Sequence, residues 1–308
     1  MARKRRGQPV HGWLVVDKPA GPTSTAVVGR VRRVFDARKV GHGGTLDPMA
    51  SGLLPIALGE ATKTVSYVMD AQKTYRFTVR WGQATDSDDA EGTVTEEHPH
   101  RPDEGEIRAV LPDFTGRVSQ VPPAFSAVKV AGRRAYDLAR AKAPVELAAR
   151  DVTIYRLALL ERPDPDHAVF EAVCGKGAYM RALARDLATA LGTLGHISAL
   201  RRTQVGPFTE SDAISLETLE SLGHSAAAFE HLLPVGAALD DIPALSLTES
   251  EANRLRCGQA VSLLARADRE RIQHLPQGVV VCAMAADTPV ALARYEAGEI
   301  RPIRVLNL

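Results

Sequence analysis

The sequence predicts an α+β protein of mixed strands and helices, followed by a small β-rich C-terminal unit. Three observations carry this. Strand-like alternation and helical periodicity both occur, yet without the regular strand–helix–strand repeat that a doubly wound parallel sheet requires. Two strand-like runs, 152–160 and 168–175, follow each other across the Pro/Asp turn RPDPDH, as antiparallel neighbours do. The composition shifts near LLPVGAALDD, and short β-like segments broken by turn residues dominate after it.

In chain order, residues 1–9 read as a flexible basic tail. VHGWLVVDK is a strand and PAGPTS a turn. Ser24 then caps a helix whose apolar stripe is Val27, Val28, Val31, Val34 and Phe35, with Arg30, Arg32 and Arg33 on its polar face and Arg38 nearby. The next clear element alternates Tyr75, Phe77, Val79 and Trp81 on one face with Arg76, Thr78 and Arg80 on the other. Residues 82–106 follow as an acidic loop with turn chemistry at 89–92. After Gly175-Lys176-Gly177 the period becomes helical, with Tyr179, Leu183, Leu187, Ala190 and Leu191 on one stripe and Gly192 as the stop. Thr248 and Glu251 form a capping box for a short helix ending near Gly258, and VVVCAM, ALARYEAG and IRPIRVLNL suit a small β-barrel. The expected domains are thus 10–235 and 240–308.

Composition narrows the function classes. At 308 residues, 45% hydrophobic and 24% charged, the chain is an ordinary globular one, long enough for one sizeable domain and a small one. No apolar run reaches the length of a membrane span, and the basic N-terminus has no apolar core behind it, so a cytoplasmic protein is expected. Cys174, Cys257 and Cys282 are scattered and odd in number, which fits reduced thiols and no metal site. The net charge of +1 hides a segregation. Residues 1–63 hold eleven bases against four acids, residues 86–106 nine acids against one arginine, and residues 129–142 five bases against Asp137. Local basic patches suit a polyanion gripped in places, whereas the acidic run reads as a solvated face.

The run GHGGTLDPMASGLLPIALGEATK at 41–63 is the most informative. It sets Asp47 in a glycine-rich loop five residues after His42, with Pro48 behind it and an apolar run at 53–58 to anchor it. Two readings stand. Asp-Pro is a common helix start, with Asp as N-cap, and spacing alone favours that. A fixed acid in such a loop also presents a reactive oxygen pair to a substrate.

This run resembles the signature of the TruB-type tRNA pseudouridine synthases. Further blocks resemble that family in its order: LVVDKPAGPTS, TYRFTVRWGQATDSDDAEG, VPPAFSAVKVAGRRAYDLAR, CGKGAYMRALARDLA and HISALRRTQVGPF. The likeness spans nearly all of residues 10–210, with one departure: Gly43 stands where the family usually has Thr, which loosens the loop slightly. The resemblance implies a large mixed sheet with a cleft, a PUA-like RNA-binding module at 240–308, and isomerisation of the T-loop uridine at position 55 of tRNA. No cofactor is implied, which agrees with the lack of phosphate-loop, dinucleotide and zinc spacings. Asp47 becomes the catalytic acid, as nucleophile or as a base on the sugar, and Arg181 its ion-pair partner.

The remaining site residues follow the same way. Tyr75 by pattern packs in the core, and by resemblance stacks on the target uracil. Tyr179 by pattern staples onto Leu183, and by resemblance contacts substrate. Leu200 by pattern is core, and by resemblance lies against the base. His42 by pattern is a satisfied loop histidine, and by resemblance fills the gap left in the RNA by the everted nucleotide. Lys18 faces either the cleft or a phosphate. The basic residues near 30–39 and in 129–142 are expected to clamp the T arm of the tRNA, with the protein a monomer. The rival class is a non-catalytic tRNA-binding or folding protein that uses the same cleft.

Overall fold

A computed structural model describes residues 7–126, 128–130, 133–134, 147–265 and 268–308. The first six of the nine residues of the expected basic tail and most of the basic segment 129–142 lie outside these residues. Within the tail, Gln8 is not free: it pairs with the chain at Ala37, through Gln8 N–H to Asp36 O and Arg38 N–H to Gln8 O.

The expected mixed sheet has ten strands. Its main path runs Ala213–Ser215, Gly12–Lys18, Ser51–Leu58, Gly195–Val205, Lys73–Trp81, His167–Cys174, Arg150–Asp164, Gly116–Gln120. The predicted alternation holds: Phe77, Val79 and Trp81 are buried on one face, and Phe77 stacks on Phe170 with ring centroids 5.4 Å apart. The helices Ser24–Val34 and Met180–Ala190 cover this face through Val27, Val31, Leu183 and Leu187. Ala190, expected on the stripe, is exposed at the helix end.

One junction of the sheet is narrow. Ser51–Leu58 meets Gly195–Val205 in parallel at only two paired positions, Ser51 with Arg201 and Gly52 with Arg202. Gly52 is required there: its φ is 98°, and a Cβ would stand 2.2 Å from the Arg202 carbonyl. The loop carrying Asp47 leaves directly from this seam. No helix starts at Pro48; the chain runs from the loop into the strand Ser51–Leu58, so the helix-cap reading of Asp47 fails.

Two further expectations are corrected. The cap of the first helix is Thr23, whose hydroxyl accepts from Ala26 N–H, while Ser24 is its first buried residue. The acidic stretch is not one solvated loop. It contains a hairpin, Gln83–Thr85 with Val94–Glu97, then the helix Glu104–Val110 capped by Asp103 and Glu106. Asp89 is only 4% exposed.

The C-terminal part is a five-stranded sheet, ordered Ala244–Ser246, Val280–Ala285, Thr288–Glu296, Glu299–Val305, Val261–Ser262, which curls into a half-barrel like a PUA domain. Helix Glu249–Arg256 closes it and carries the expected capping box. The chain end returns to the large sheet. Leu306 is buried with Trp13, Phe208 and Val235, Lys63 Nζ donates to Val305 O, and Asn307 N–H donates to Glu60. Among the described residues no helix is long and apolar enough to cross a membrane.

Candidate active site

The Asp47 loop is held by its backbone, from three directions, by buried side chains. Ser24 Oγ accepts from Leu46 N–H at 2.9 Å and donates to Leu46 O at 3.0 Å. Lys18, fully buried, donates to the carbonyls of Pro19, Pro22 and Pro48 at 2.9–3.1 Å. Arg202, 1% exposed, donates to Leu53, Thr45 and Gly44 carbonyls at 2.8, 3.3 and 3.1 Å. Burial lowers the Lys18 amine to about 8, offset in part by the charge of Asp47. Carbonyl oxygens are the natural partners of such cations, because they remove the desolvation cost without neutralising the charge.

Gly43 does not loosen this loop. Its N–H donates to Pro55 O, and a Cβ there would meet Val68 Cγ1 at 2.6 Å, so a larger residue requires Val68 to shift. The expected looseness is therefore a tight contact in this chain.

Asp47 itself keeps 34% of its side chain exposed, so its carboxylate is reachable. Its Oδ2 lies 2.9 Å from Arg181 Nε. The N–H is not aligned on the oxygen, so the contact is electrostatic more than a formed hydrogen bond. Arg181 is 4% exposed along its side chain and is fixed by donating to Ser87 O at 3.0 Å and Phe125 O at 2.9 Å. A second acid, Asp89, faces the same guanidinium at 3.6 Å. Asp89 is in turn bound by Ser87 Oγ and Glu91 N–H. The neighbouring Asp88, at φ 60°, pairs with Arg185 at 2.9 Å, and burial pushes its carboxyl up. The acid-rich segment thus docks onto the first turns of Met180–Ala190 and orients the arginine that faces Asp47.

Tyr75 and Leu200 come together on one face of the sheet. In the ladder Tyr75 lies opposite Arg202, and Leu200 opposite Phe77. Tyr75 is half-buried, and burial raises its phenol, with Arg202 pulling the other way. Leu200 is 8% exposed and joins the main core. Tyr179 occupies the N-cap position of Met180–Ala190, and its N–H donates to Gln120 Oε1 at 2.9 Å. Burial raises its phenol, with the neighbouring Ser126 hydroxyl opposing though not aligned as a hydrogen bond. His42 ends the short strand Val40–His42, and its Nδ1 accepts from Gly44 N–H at 3.3 Å. Burial, then the Arg202 charge, lowers its imidazole, so it is neutral at pH 7.

Sequence reasoning missed Ser24, Arg202, Asp89 and Gln120 as parts of this arrangement. Strand alternation held the signal for Arg202, two residues beyond Leu200 and on the same face. Nothing local marks Asp89 among nine nearby acids. A shallow polar recess on the opposite face of the sheet, lined by Thr74, Arg76, Arg156, Glu171 and Thr203, takes no part in it.

Comparison with known proteins then decides the family. The N-terminal domain profile of TruB family pseudouridylate synthases matches residues 32–180, and that of the tRNA pseudouridylate synthase B C-terminal domain matches 181–240. The chain belongs to the TruB family. Among curated TruB relatives, tRNA pseudouridine synthase B of Rhodospirillum rubrum is 60% identical and that of Caulobacter vibrioides 53% identical, each covering all of this chain and all of the relative. The fold is also that of a crystal structure of a Cbf5-Nop10-Gar1 complex, at TM-score 0.73 and 26% identity, over 96% of this chain and 85% of that one. An H/ACA RNP bound to a substrate RNA containing 2'-deoxyuridine matches in fold at TM-score 0.74 and 23% identity, over 100% of this chain and 92% of that one.

Proposed function

We propose that this TruB protein isomerises a uridine of tRNA to pseudouridine, and that the target is the T-loop uridine at position 55. The observation that carries the reading is one reachable carboxylate, Asp47, in a loop bracketed by Ser24, Lys18 and Arg202 and faced by the buried Arg181. The reaction breaks the N1–C1′ bond, turns the base and forms a C5–C1′ bond, while the C5 proton is lost and N1 gains one. Atoms balance without oxidant, reductant or co-reactant, so the residues named suffice in kind.

Asp47 acts on the ribose or the ring of an everted nucleotide, as nucleophile or as base. Arg181, 2.9 Å from Asp47, steers its oxygen. Tyr75 stacks on the uracil and Leu200 closes the apolar side of the slot, while Tyr179 bounds it at the helix start. Neutral His42 occupies the place the base vacated, which offsets part of the unstacking cost of about a few kcal/mol. The basic segment 129–142 and the exposed Arg32, Arg33 and Arg38 grip the T arm, the catalytic domain being 10–235 and the half-barrel at 240–308 a second RNA contact. The protein works as a cytoplasmic monomer without cofactor.

The test is direct. Purified protein is incubated with unmodified tRNA, and pseudouridine is mapped along the molecule. The reading expects one new pseudouridine, in the T loop. Binding without any pseudouridine would leave the folding-protein alternative.

A further inference from the structure

We propose that Gln120 and Ser126 are specificity-determining residues that bond the polar edge of the reacting uracil. The inference rests on the synthase reading above. Among the described residues, eight buried side-chain nitrogen or oxygen atoms lack a hydrogen-bond partner. Three of them, Gln120 Nε2, Ser126 Oγ and Arg181 Nε, belong to residues that converge on Tyr179. Arg181 Nε has the Asp47 charge beside it. The other two have no account within the protein, and buried polar groups left unsatisfied are rare enough to require one.

Geometry fixes which end of the amide is free. The helix Met180–Ala190 has no side-chain cap of its own; Gln120, at the end of the strand Gly116–Gln120, supplies one by accepting from Tyr179 N–H. That bond demands the amide oxygen, so the NH₂ faces the other way, 2% exposed and without an acceptor. Ser126 is 4% exposed and lies beside the Tyr179 phenol. The wall between the two residues is laid along the helix by its arginines: Arg185 donates to Val121 O at 2.8 Å and Arg181 to Phe125 O at 2.9 Å. Residues 121–126 lie outside any strand or helix, so a base that reaches Ser126 breaks no ladder.

A fixed amide donor beside a hydroxyl is the complement of an imide. Uracil offers carbonyl oxygens on either side of N3–H; the Gln120 NH₂ donates to O4, the carbonyl that cytosine lacks, and the Ser126 oxygen accepts from N3–H. Cytosine presents an amino donor where uracil has O4, and a ring acceptor in place of N3–H. A site built to bond one pattern rejects the other, because its buried groups are then left unpaired.

The experiment measures kcat/KM of Gln120→Glu and Ser126→Ala on T-arm RNA with the target uridine, and affinity for the same RNA with an abasic target. Gln120→Glu keeps an oxygen for Tyr179 N–H and replaces the amide donor by an acceptor, with a negative charge added, so Gln120→Met is measured beside it as the uncharged variant without a donor. The expected result is a fall in kcat/KM of at least about tenfold for each variant, with affinity for abasic RNA within about twofold of wild type. On RNA carrying 3-methyluridine, which lacks N3–H, the penalty of Ser126→Ala should vanish. Wild-type turnover of uridine, or equal losses on uridine and abasic RNA, would reduce both residues to structural ones and overturn the inference. If Asp47→Asn alone abolishes turnover, the synthase reading stands without it; if Asp47→Asn remains active, that reading falls first.

Discussion

At the scale of single residues, the arrangement turns on where charge is allowed to sit. Arg181 is nearly buried, yet it is not a neutralised pair: it faces two acids, Asp47 at 2.9 Å and Asp89 at 3.6 Å, and two peptide carbonyls. Its planar fork meets several partners at fixed angles, which a lysine's point charge cannot do. Arg181→Lys therefore keeps a cation but loses the carbonyl bonds that aim it. Single-turnover kinetics should show the rate falling by about 10²-fold while tRNA affinity changes little. A variant with wild-type rate would mean that the guanidinium geometry is irrelevant to Asp47.

At the scale of elements, two contacts seat the helix Val65–Asp70, one against the Asp47 loop and one against the strand Lys73–Trp81. Gly43 lies against Val68 so closely that an added methyl would stand 2.6 Å from Cγ1. Gly43→Ala should cost about 1–3 kcal/mol by overpacking, read from urea midpoints, and Val68→Ala in the same chain should recover part of it. Additive losses would refute the contact. Lys73 is the second case. Its buried amine holds the Met69 and Ala71 carbonyls at the end of the helix Val65–Asp70, and burial, aided by Arg202, lowers it to about 8. Because the folded value lies below that of the unfolded chain, the folded protein sheds this proton first. Unfolding then takes up a proton between pH 8 and 10.5, and rising pH favours the folded state. Relative to Lys73→Met, wild type should gain stability across that window; a flat difference would contradict the assignment. These elements also show what was legible beforehand. Period-2 and period-3.6 patterns located the strand Lys73–Trp81 and the helix Met180–Ala190, because apolar burial writes itself into spacing. Ser24 as a loop support and Gln120 as a helix cap were opaque because each bonds a distant backbone or the start of another element, and such partners leave no periodic trace; Lys18 stood out, but not its carbonyl partners. The half-buried Asp88 and the buried Asp89 looked solvated for a related reason: charge composition carries no information about which acids meet an arginine.

At the scale of the molecule, the chain end ties the half-barrel to the large sheet. Val305, Leu306 and Asn307 engage Lys63, the Trp13 cluster and Glu60, just after the strand Ser51–Leu58 that begins at the reactive loop. Leu306 is 2% exposed, so Leu306→Ala should cost about 2–5 kcal/mol of unfolding free energy, measured by denaturant titration. An unchanged midpoint would show that the strap is not seated in solution. The same connectivity explains why the sheet tolerates a seam of two paired positions. The core helices Ser24–Val34 and Met180–Ala190 and the returning chain end cover both faces around it, so the reactive loop has a rigid floor.

The proposed chemistry rests on the carboxylate of Asp47 acting on a uridine held against Tyr75. Release of tritium from C5 of labelled uridine in tRNA, followed with wild type and Asp47→Asn alongside tRNA affinity, reads that step itself. Wild type should release tritium, with a rate at least about 10⁴-fold lower for the variant and affinity within about threefold. Release by Asp47→Asn at the wild-type rate would contradict it.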